Sequence, residues 1–376
     1  MMDRRFPRQD VISEILLFSS VKSLLRFRCV SKSWCSLIKS NDFIDNHLLR
    51  RQTNGNVMVV KRYVRTPERD MFSFYNINSP ELDELLPDLP NPYFKNIKFD
   101  YDYFYLPQRV NLMGPCNGLI CLAYGDCVLL SNPALREIKR LPPTPFANPE
   151  GHCTDIIGYG FGNTCNDCYK VVLIESVGPE DHHINIYVYY SDTNSWKHIE
   201  DDSTPIKYIC HFPCNELFFK GAFHWNANST DIFYADFILT FDIITEVFKE
   251  MAYPHCLAQF SNSFLSLMSL NECLAMVRYK EWMEDPELFD IWVMNQYGVR
   301  ESWTKQYVIG PQVVVCSHVC WKNDECLIVE DGNGQLVSCA FRTNKIEKLP
   351  IYAVEETLRV LIVDESLISL NRVLNL

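Results

Sequence analysis

The stretch VLLSNPALREIKRLP, residues 128–142, contains an apolar strand, a polar turn and a second strand that ends in an apolar residue. Five other segments repeat this pattern, and the six copies start 46 to 59 residues apart. The others are FSFYNINSPELDEL at 72–85, YVYYSDTNSWKHI at 187–199, ILTFDIITEVFKEM at 238–251, IWVMNQYGVRESWTKQY at 291–307 and VSCAFRTNKIEKLP at 337–350. Apolar runs separated by short turn segments predict β-hairpins.

The interval between the hairpins is close to the roughly fifty-residue period of kelch-type propeller blades. Another apolar strand precedes the later copies, in GLICLAY, YKVVLIE, GAFHWNA, ECLAMVRY and ECLIVE. We therefore predict a mainly β fold in which a small α-helical module precedes a kelch-like β-propeller of six blades. The alternative is a meandering β-sandwich with coincidental hairpins. The propeller is favoured because radial repetition protects strand edges without a helical layer.

Composition places the 376-residue chain among globular proteins, because 47% of its residues are hydrophobic and 22% are charged. We find no secretory signal and no run of eighteen apolar residues, and we expect a soluble protein of the cytoplasm or nucleus. The sixteen cysteines are then expected to be reduced thiols that pack as small apolar groups. Cys165 and Cys168 form one C-x-x-C motif, with His152 and Cys153 upstream, but a second ligand pair is missing. We predict no metal and no cofactor.

Charge is divided unevenly along the chain. Residues 1–65 hold 13 Lys and Arg against 5 Asp and Glu, a net charge of +8. Residues 66–376 hold 22 against 42, a net charge of -20. The acidic part is expected to repel nucleic acid and membrane surfaces and to favour encounter with basic proteins, although an acidic surface also promotes solubility alone.

Three short amphipathic helices are predicted in the basic part. In DVISEILL, residues 10–17, apolar residues recur at helical spacing, Asp10 is placed to cap the helix, and Glu14 lies on the other face. Across the three helices the apolar positions are Val11, Ile12, Ile15, Leu16, Val21, Leu24, Leu25, Trp34, Leu37 and Ile38. Helices of this size cannot bury such faces alone, so they need a further surface to pack against.

The same helices carry Lys22, Arg26, Arg28, Lys32 and Lys39, which could contact phosphates. A phosphate-binding helix, however, gains little from so many apolar residues. Docking on a partner protein, with apolar anchors in the centre and cations at the rim, explains both residue types. We therefore predict a protein partner and no nucleic acid.

The segment FPRQDVISEILLFSSVKSLLRFRCVSKSWCSLIKS, residues 6–40, closely resembles the F-box, by which substrate receptors of SCF ubiquitin ligases bind a Skp-type adaptor. Through the adaptor they join a cullin and a RING subunit. One extra residue separates Pro7 from Asp10, and Ser19-Ser20 stands where the family usually has Leu-Pro. Serine gives a looser helix start than proline, although it can cap the helix instead, so we expect weakened adaptor binding. The resemblance implies adaptor-binding or supporting roles for Pro7, Val11, Ile12, Ile15, Leu16, Val21, Leu24, Leu25, Phe27, Val30 and Trp34.

The rest of the chain is similar to the F-box-associated domain of plant F-box proteins. GPCNGLICL, GYGFGNTCNDCYKVV, FFKGAFHWNA, LTFDIITEVFKEM and IWVMNQYGVRESW match its recurring phrases in order. Within that family the likeness is greatest to the S-locus F-box proteins of self-incompatible plants, through SLNECLAMVRY, EWMEDPELFD and ESWTKQYVIGP. The resemblance implies a non-catalytic ligase subunit whose clients are non-self S-ribonucleases in pollen. Those ribonucleases tend to be basic, which agrees with the acidic body.

Residues 1–50 are therefore predicted to form the adaptor-binding F-box, 51–65 a connector and first strand, and 66–376 the substrate-recognition domain. Client contacts are expected in the polar loops 148–156, 178–185, 201–207 and 281–290. Those loops contain the acid pairs Glu180-Asp181, Asp201-Asp202 and Glu284-Asp285.

Two alternatives remain open: an F-box adaptor for another intracellular client, and an enzyme built on a propeller that uses such acids or His182-His183. The sequence contains no G-x-S-x-G, H-E-x-x-H or Walker motif, so catalysis has no visible basis. Four tryptophans that lie in or beside the strands are expected to form core between blades: Trp196, Trp225, Trp292 and Trp303.

Overall fold

A computed structural model describes residues 9–51, 57–65, 68–77, 84–90, 110–124, 127–145, 154–165, 168–177, 183–199, 208–209, 216–228, 237–256, 263–280, 287–321, 324–355 and 357–370. Its α-helices lie at the N-terminal end and are α1 Gln9–Leu17, α2 Val21–Phe27, α3 Lys32–Lys39 and α4 Asn41–Arg51. The described part thus holds four α-helices where three were predicted. None of the helices described is long and apolar enough to cross a membrane.

All the strands follow the helices. In chain order they are β1 Val57–Arg65, β2 Glu68–Asn76, β3 Glu84–Pro90, β4 Asn111–Cys116, β5 Leu119–Tyr124, β6 Cys127–Asn132, β7 Glu137–Arg140, β8 Thr154–Cys165, β9 Cys168–Val177, β10 His183–Tyr190, β11 Ser195–Ile199, β12 Tyr208–Ile209, β13 Leu217–Phe219, β14 Ala222–Asn228, β15 Phe237–Asp242, β16 Phe248–Ala252, β17 Ser263–Leu270, β18 Cys273–Lys280, β19 Glu287–Met294, β20 Trp303–Gln312, β21 Cys316–Trp321, β22 Cys326–Glu330, β23 Gln335–Ala340, β24 Ile346–Tyr352 and β25 Arg359–Val363.

These strands form six antiparallel sheets, which are the blades of a propeller. Blade 1 has the order β25-β1-β2-β3, and blades 2 to 6 follow as β4–β7, β8–β11, β12–β16, β17–β20 and β21–β24. The inner strands contact one another in the cyclic order β25, β4, β8, β13, β17, β21 and back to β25. This closed ring excludes the β-sandwich alternative. A kelch character of the blades is not shown.

The ring closes by pairing the two ends of the propeller chain. Strand β25 lies beside β1, with Val57 opposite Val363 and Lys61 opposite Arg359. Blade 1 therefore combines three strands from the start of the domain with one from its end. This arrangement leaves no free edge between the first and last blades.

Local turn chemistry explains why the first and second strands of two blades pair. The turns between the first and second strands of blades 2 and 4 are Asn117-Gly118 and Lys220-Gly221, all with positive φ. Two central residues of positive φ make type I′ turns, whose twist matches that of paired strands. The predicted hairpins are confirmed as the third and fourth strands of each blade, and the preceding apolar runs as the second strands of blades 2 to 6.

Tryptophans join successive blades, as the sequence predicts. Each of three indole N–H groups donates to a backbone carbonyl associated with the preceding blade. The bonds run from Trp196 to Pro142 (2.9 Å), from Trp225 to Tyr159 (2.8 Å) and from Trp303 to Ala252 (3.3 Å). The half-buried Trp292 packs against the apolar cluster between blades 4 and 5.

Seven of the described thiols of the propeller are buried, in agreement with the expected apolar role: Cys116, Cys121, Cys127, Cys316, Cys320, Cys326 and Cys339. Burial raises the pKa of the Cys339 thiol to about 12, so it stays protonated and unreactive. Cys165 and Cys168 occupy opposite backbone positions where β8 and β9 pair. His152 and Cys153 lie outside the described residues. Within the described ranges, no group of three or more His, Cys, Asp or Glu could hold a metal ion.

Candidate functional site: the exposed face of the first helix

Helices α2 and α3 begin at serine caps. The Ser20 hydroxyl accepts from the Ser23 N–H at 3.2 Å at the start of α2, and the Ser31 hydroxyl accepts from the Trp34 N–H at 3.2 Å at the start of α3. Ser20 has φ −62° and ψ 153°, the extended conformation typical of an N-cap. The expectation that serine caps the helix where the family usually has proline is therefore confirmed.

Helix α4, which was not predicted from the sequence, holds the other helices in place. It contacts both α1 and α3. Its buried His47 places Nε2 3.0 Å from the Ser19 carbonyl in the turn between α1 and α2, and its ring stacks on Phe43. The signal that could have revealed α4 is its apolar set Phe43, Ile44 and Leu48, which lies on one helical face.

Apolar side chains of the module are divided between an inner and an outer face. Leu16, Val21 and Leu24 are buried in a cluster that also contains residues of blades 2 and 3 and Leu367. Part of the apolar surface that three isolated helices could not cover is thus covered within this chain.

The outer face of α1 presents apolar side chains to solvent. Val11 is 49% exposed, Ile15 62% and Phe18, immediately after the helix, 76%. Their spacing of four and three residues puts them on one stripe. Together with Glu14 they line a shallow, open depression whose surface is almost entirely apolar. An exposed apolar stripe of this kind is typical of a helix that docks on another protein.

Helix α4 supplies the rim of this surface. Arg50 Nη2 donates to Glu14 Oε2 at 2.6 Å, and its guanidinium lies 4.8 Å from the centre of the Phe18 ring. Leu49, which precedes Arg50 on the same helix, is 62% exposed. Because the ion pair is solvent-exposed, its main effect is to orient the rim; it adds little stability. We call Val11, Glu14, Ile15, Phe18, Leu49 and Arg50 the α1 surface.

The structure sorts the eleven residues that the F-box resemblance selects. Exposed ones are Val11, Ile15 and Val30; half-buried ones are Ile12, Leu25, Phe27 and Trp34; buried ones are Leu16, Val21 and Leu24; and Pro7 lies outside the described residues. The sequence put all four apolar residues of α1 on one side and Glu14 opposite. In the structure Ile12 and Leu16 turn inward, while Glu14 lines the same depression as Val11 and Ile15.

Phe18 and Leu49 were missed as members of the α1 surface. The signal for Phe18 was available, since it lies three residues after Ile15 and seven after Val11. Leu49 could not be placed because α4 itself was not predicted. Asp10, expected as a cap, lies inside a helix that begins at Gln9.

The predicted client-contact acids Glu180, Asp181, Asp201, Asp202, Glu284 and Asp285 lie outside the described residues. Three of the four predicted loops are shorter than expected, because 154–156 belong to β8, 183–185 to β10 and 287–290 to β19. The loop 201–207 lies outside the described residues.

Strand direction still relates these segments to the helices. Strand β1 starts and β25 ends at the face of the ring that carries the helices. Strands β9 and β18 are second strands like β1, so they end at the opposite face. The strand ends that border 178–182 and 281–286 therefore lie away from the helices.

Two family models match the chain. The F-box domain matches residues 9–46, and the F-box associated beta propeller domain matches residues 73–370, more than half of the chain.

Individual relatives agree with this match. F-box protein CPR1 of Arabidopsis thaliana is 27% identical over 369 residues, which cover 91% of this chain and 84% of that protein. An F-box/kelch-repeat protein of the same plant is 27% identical over 311 residues, 79% of this chain and 77% of that protein. Among solved structures, YCF48 from Cyanidioschyzon merolae has a TM-score of 0.40 at 9% identity and covers 79% of this chain and 86% of that one. The two family matches, which together cover most of the chain, show that it belongs to the plant F-box proteins that carry an F-box-associated β-propeller domain.

Proposed function

We propose that this chain is the substrate-recognition subunit of an SCF-type ubiquitin ligase. The α1 surface binds the Skp-type adaptor, the cullin and RING subunits join through the adaptor, and the propeller holds the client. The observation that supports this most directly is the exposed stripe Val11, Ile15 and Phe18 on the helix that carries the F-box match. F-box proteins are typically non-catalytic adaptors, and such a subunit works in the cytoplasm or nucleus.

The physical contribution of the subunit is effective concentration. Client and ubiquitin-charged enzyme are held in one assembly, so a bimolecular encounter becomes nearly intramolecular. No side chain of this chain needs to take part in the chemistry. The requirements are an adaptor contact, a client contact and a fixed geometry between them.

Co-purification of the full-length chain with a Skp-type adaptor tests the adaptor contact. The full chain is needed because buried residues of the helices and of the propeller share one apolar cluster. We expect a stable one-to-one complex on gel filtration that recruits the cullin–RING pair. A chain that is folded and monomeric in the presence of adaptor would refute the proposal.

For the client, we propose a basic protein and, within that class, a non-self S-ribonuclease met in pollen. Two observations support this choice: the net charge of -20 over residues 66–376 and the S-locus phrases in the sequence. The acid pairs Glu180-Asp181, Asp201-Asp202 and Glu284-Asp285 are the proposed contacts. Opposite charge accelerates encounter and is weakened by salt.

Capture from pollen and pistil extracts tests the client proposal. The full-length chain, in complex with its adaptor, is immobilised, and retained proteins are identified by mass spectrometry at low and raised salt. We expect basic proteins, S-ribonucleases among them, to be lost as salt rises and to be lost earlier when Asp201 and Asp202 are changed to Asn. Asp42→Asn on α4 is the control. Retention of only neutral or acidic proteins, unaffected by salt, would overturn the client while leaving the adaptor role intact.

A further inference from the structure

We propose that residues 364–370 form a latch that fixes the orientation of the four helices relative to the propeller, and that Glu137 of blade 2 is its positioning residue. We call these seven residues the C-terminal latch. The geometry is independent of the proposed function, whereas its consequence for ubiquitin transfer rests on it.

The latch continues directly from the strand that closes the ring. Strand β25 ends at Val363, and the next residues cross to blade 2. There the buried Asn132 side chain donates through Nδ2 to the carbonyls of Ser366 (3.1 Å) and Ile368 (2.7 Å). Asn132 Oδ1 accepts from the N–H groups of Ala134 and Leu135 in its own turn. One amide thus ties the latch to the β6–β7 turn.

Glu137, the first residue of β7, holds the end of the latch. Its carboxylate accepts from the Ser369 hydroxyl at 2.9 and 3.0 Å and from the Leu370 N–H at 2.7 Å. Arg28, which follows α2, is half-buried, and the charge of Glu137 influences its pKa. Burial lowers the pKa of Arg28, and the negative charge of the Glu137 carboxylate opposes this shift. Glu137 therefore binds the latch directly, and its charge acts on Arg28 at the end of α2.

Apolar packing makes the same connection. Leu367, Ile368 and Leu370 are buried and belong to one cluster with Val21 and Leu24 of the helices. The half-buried Ala134 and Leu135 of the blade 2 turn pack against this cluster as well. The latch thus shares one apolar core with both modules, and separating the helices from the propeller would remove apolar contacts from this core.

The latch packs closely against the turn between β4 and β5. Gly118, with φ +76°, lies so close that a Cβ added there would overlap Ser366 and lie 2.5 Å from the Asp364 carbonyl oxygen. A larger residue would have to displace the latch. Both the bonds and the packing therefore define a single position for residues 364–370.

A fixed orientation matters for transfer because the client lysine must reach the charged enzyme. If the helices could rotate freely relative to the propeller, the client lysine would face the charged enzyme in only a fraction of the orientations. Its effective concentration at the enzyme, and with it the rate of transfer, would fall. The latch couples ring closure, the turn of blade 2 and the F-box helices into one body. Glu137 would then influence transfer without touching adaptor or client.

Distance measurements on the full-length chain, both alone and in complex with its adaptor, test the latch. Fluorophores are attached through genetically encoded residues at the exposed Ser36 on α3 and the exposed Arg342 in blade 6. We expect one narrow distance distribution for the unmodified chain. Glu137→Ala should replace it with a broad one, Glu137→Gln should broaden it less, and Gly118→Ala should shift it. The control is Glu250→Ala, an exposed glutamate on β16, which should leave the distribution unchanged.

Thermal unfolding and adaptor affinity are measured on the same variants. Broadened distances with unchanged adaptor affinity and a folded propeller support the latch, because a purely structural defect would lower stability without separating the modules. A distribution for Glu137→Ala as narrow as that of the unmodified chain would overturn it, as would a broad distribution in the unmodified chain. Failure of the unmodified chain to bind adaptor, with the distances of the free chain as expected, would refute the proposed function but not the latch.

Discussion

Arg359 of blade 1 donates through Nη2 to the Glu216 carboxylate of blade 4 at 2.6 Å. These blades lie three positions apart in a ring of six, so the ion pair spans the central channel. Arg359 also donates through Nε to the Leu112 carbonyl of blade 2. The closing strand is therefore held at the ring axis by a charge from the opposite side.

Loss of the Arg359–Glu216 pair should destabilise the propeller. The two side chains are only 12% and 21% exposed, so removing Arg359 takes a cation away from a largely buried carboxylate. We expect Arg359→Ala to lower the free energy of unfolding by about 3 kcal/mol. The control is Lys345→Ala, which breaks the exposed pair with Glu347 and should leave the free energy of unfolding almost unchanged. Denaturant titration measures both, and equal effects would contradict the assignment.

Stability should depend on pH through His224. This buried ring uses Nδ1–H to donate to the Leu217 carbonyl at 3.3 Å, while Nε2 accepts from the Tyr297 hydroxyl at 2.7 Å. Burial lowers the pKa of His224 to about 4, against 6.5 for an ordinary histidine. Between these values the unfolded chain binds a proton that the folded chain does not bind. Stability from this group is therefore lost as pH falls from 6.5 towards 4.

The measurement is the free energy of unfolding at pH 7 and pH 5 for the unmodified chain and for His224→Gln. We expect the unmodified chain to lose about 2 kcal/mol more than the variant over this interval. Tyr297→Phe removes the hydroxyl that recognises the neutral ring and should cost about 1 kcal/mol at pH 7. Parallel pH profiles for the unmodified chain and His224→Gln would contradict this account.

The cap at Ser20 should contribute measurably to the helical module. Ser20→Ala removes the hydroxyl that accepts from the Ser23 N–H and should cost about 1 kcal/mol, whereas Ser20→Gly should cost a few tenths. Ser31→Ala at the start of α3 should resemble Ser20→Ala. The exposed Ser36→Ala, inside α3, is the control and should be neutral. Chemical unfolding detects these differences, and an unaffected Ser20→Ala would show that the cap adds no stability.

Sequence periodicity predicted the propeller because the hairpins recur with their own turn residues. The second, third and fourth strands were visible in runs such as GAFHWNA and ILTFDIITEVFKEM. Several inner strands were not visible, since β8 contains three glycines and β13 has three residues. The pairing of β25 with β1 depends on a contact between distant parts of the chain, which local pattern does not encode.

The sequence predicted that the helical module binds the adaptor, but it did not predict which face of α1 is exposed for binding. Val11, Ile12, Ile15 and Leu16 form one broad apolar arc in the sequence, and the packing of α4 decides which part of it stays exposed. Leu24 illustrates the same limit. It carries the F-box resemblance, yet it is completely buried, so a charge placed there would test folding and not the interface.

The central claim is that the α1 surface binds the adaptor, and the affinity of Ile15→Asp for a Skp-type adaptor tests it most directly. A charge at this exposed position should leave the unfolding midpoint unchanged and weaken binding by about 30-fold or more, as expected for a central interface residue. Ile244→Asp, which alters a 70% exposed isoleucine in blade 4, should bind like the unmodified chain. Undiminished binding by a folded Ile15→Asp variant would contradict the account.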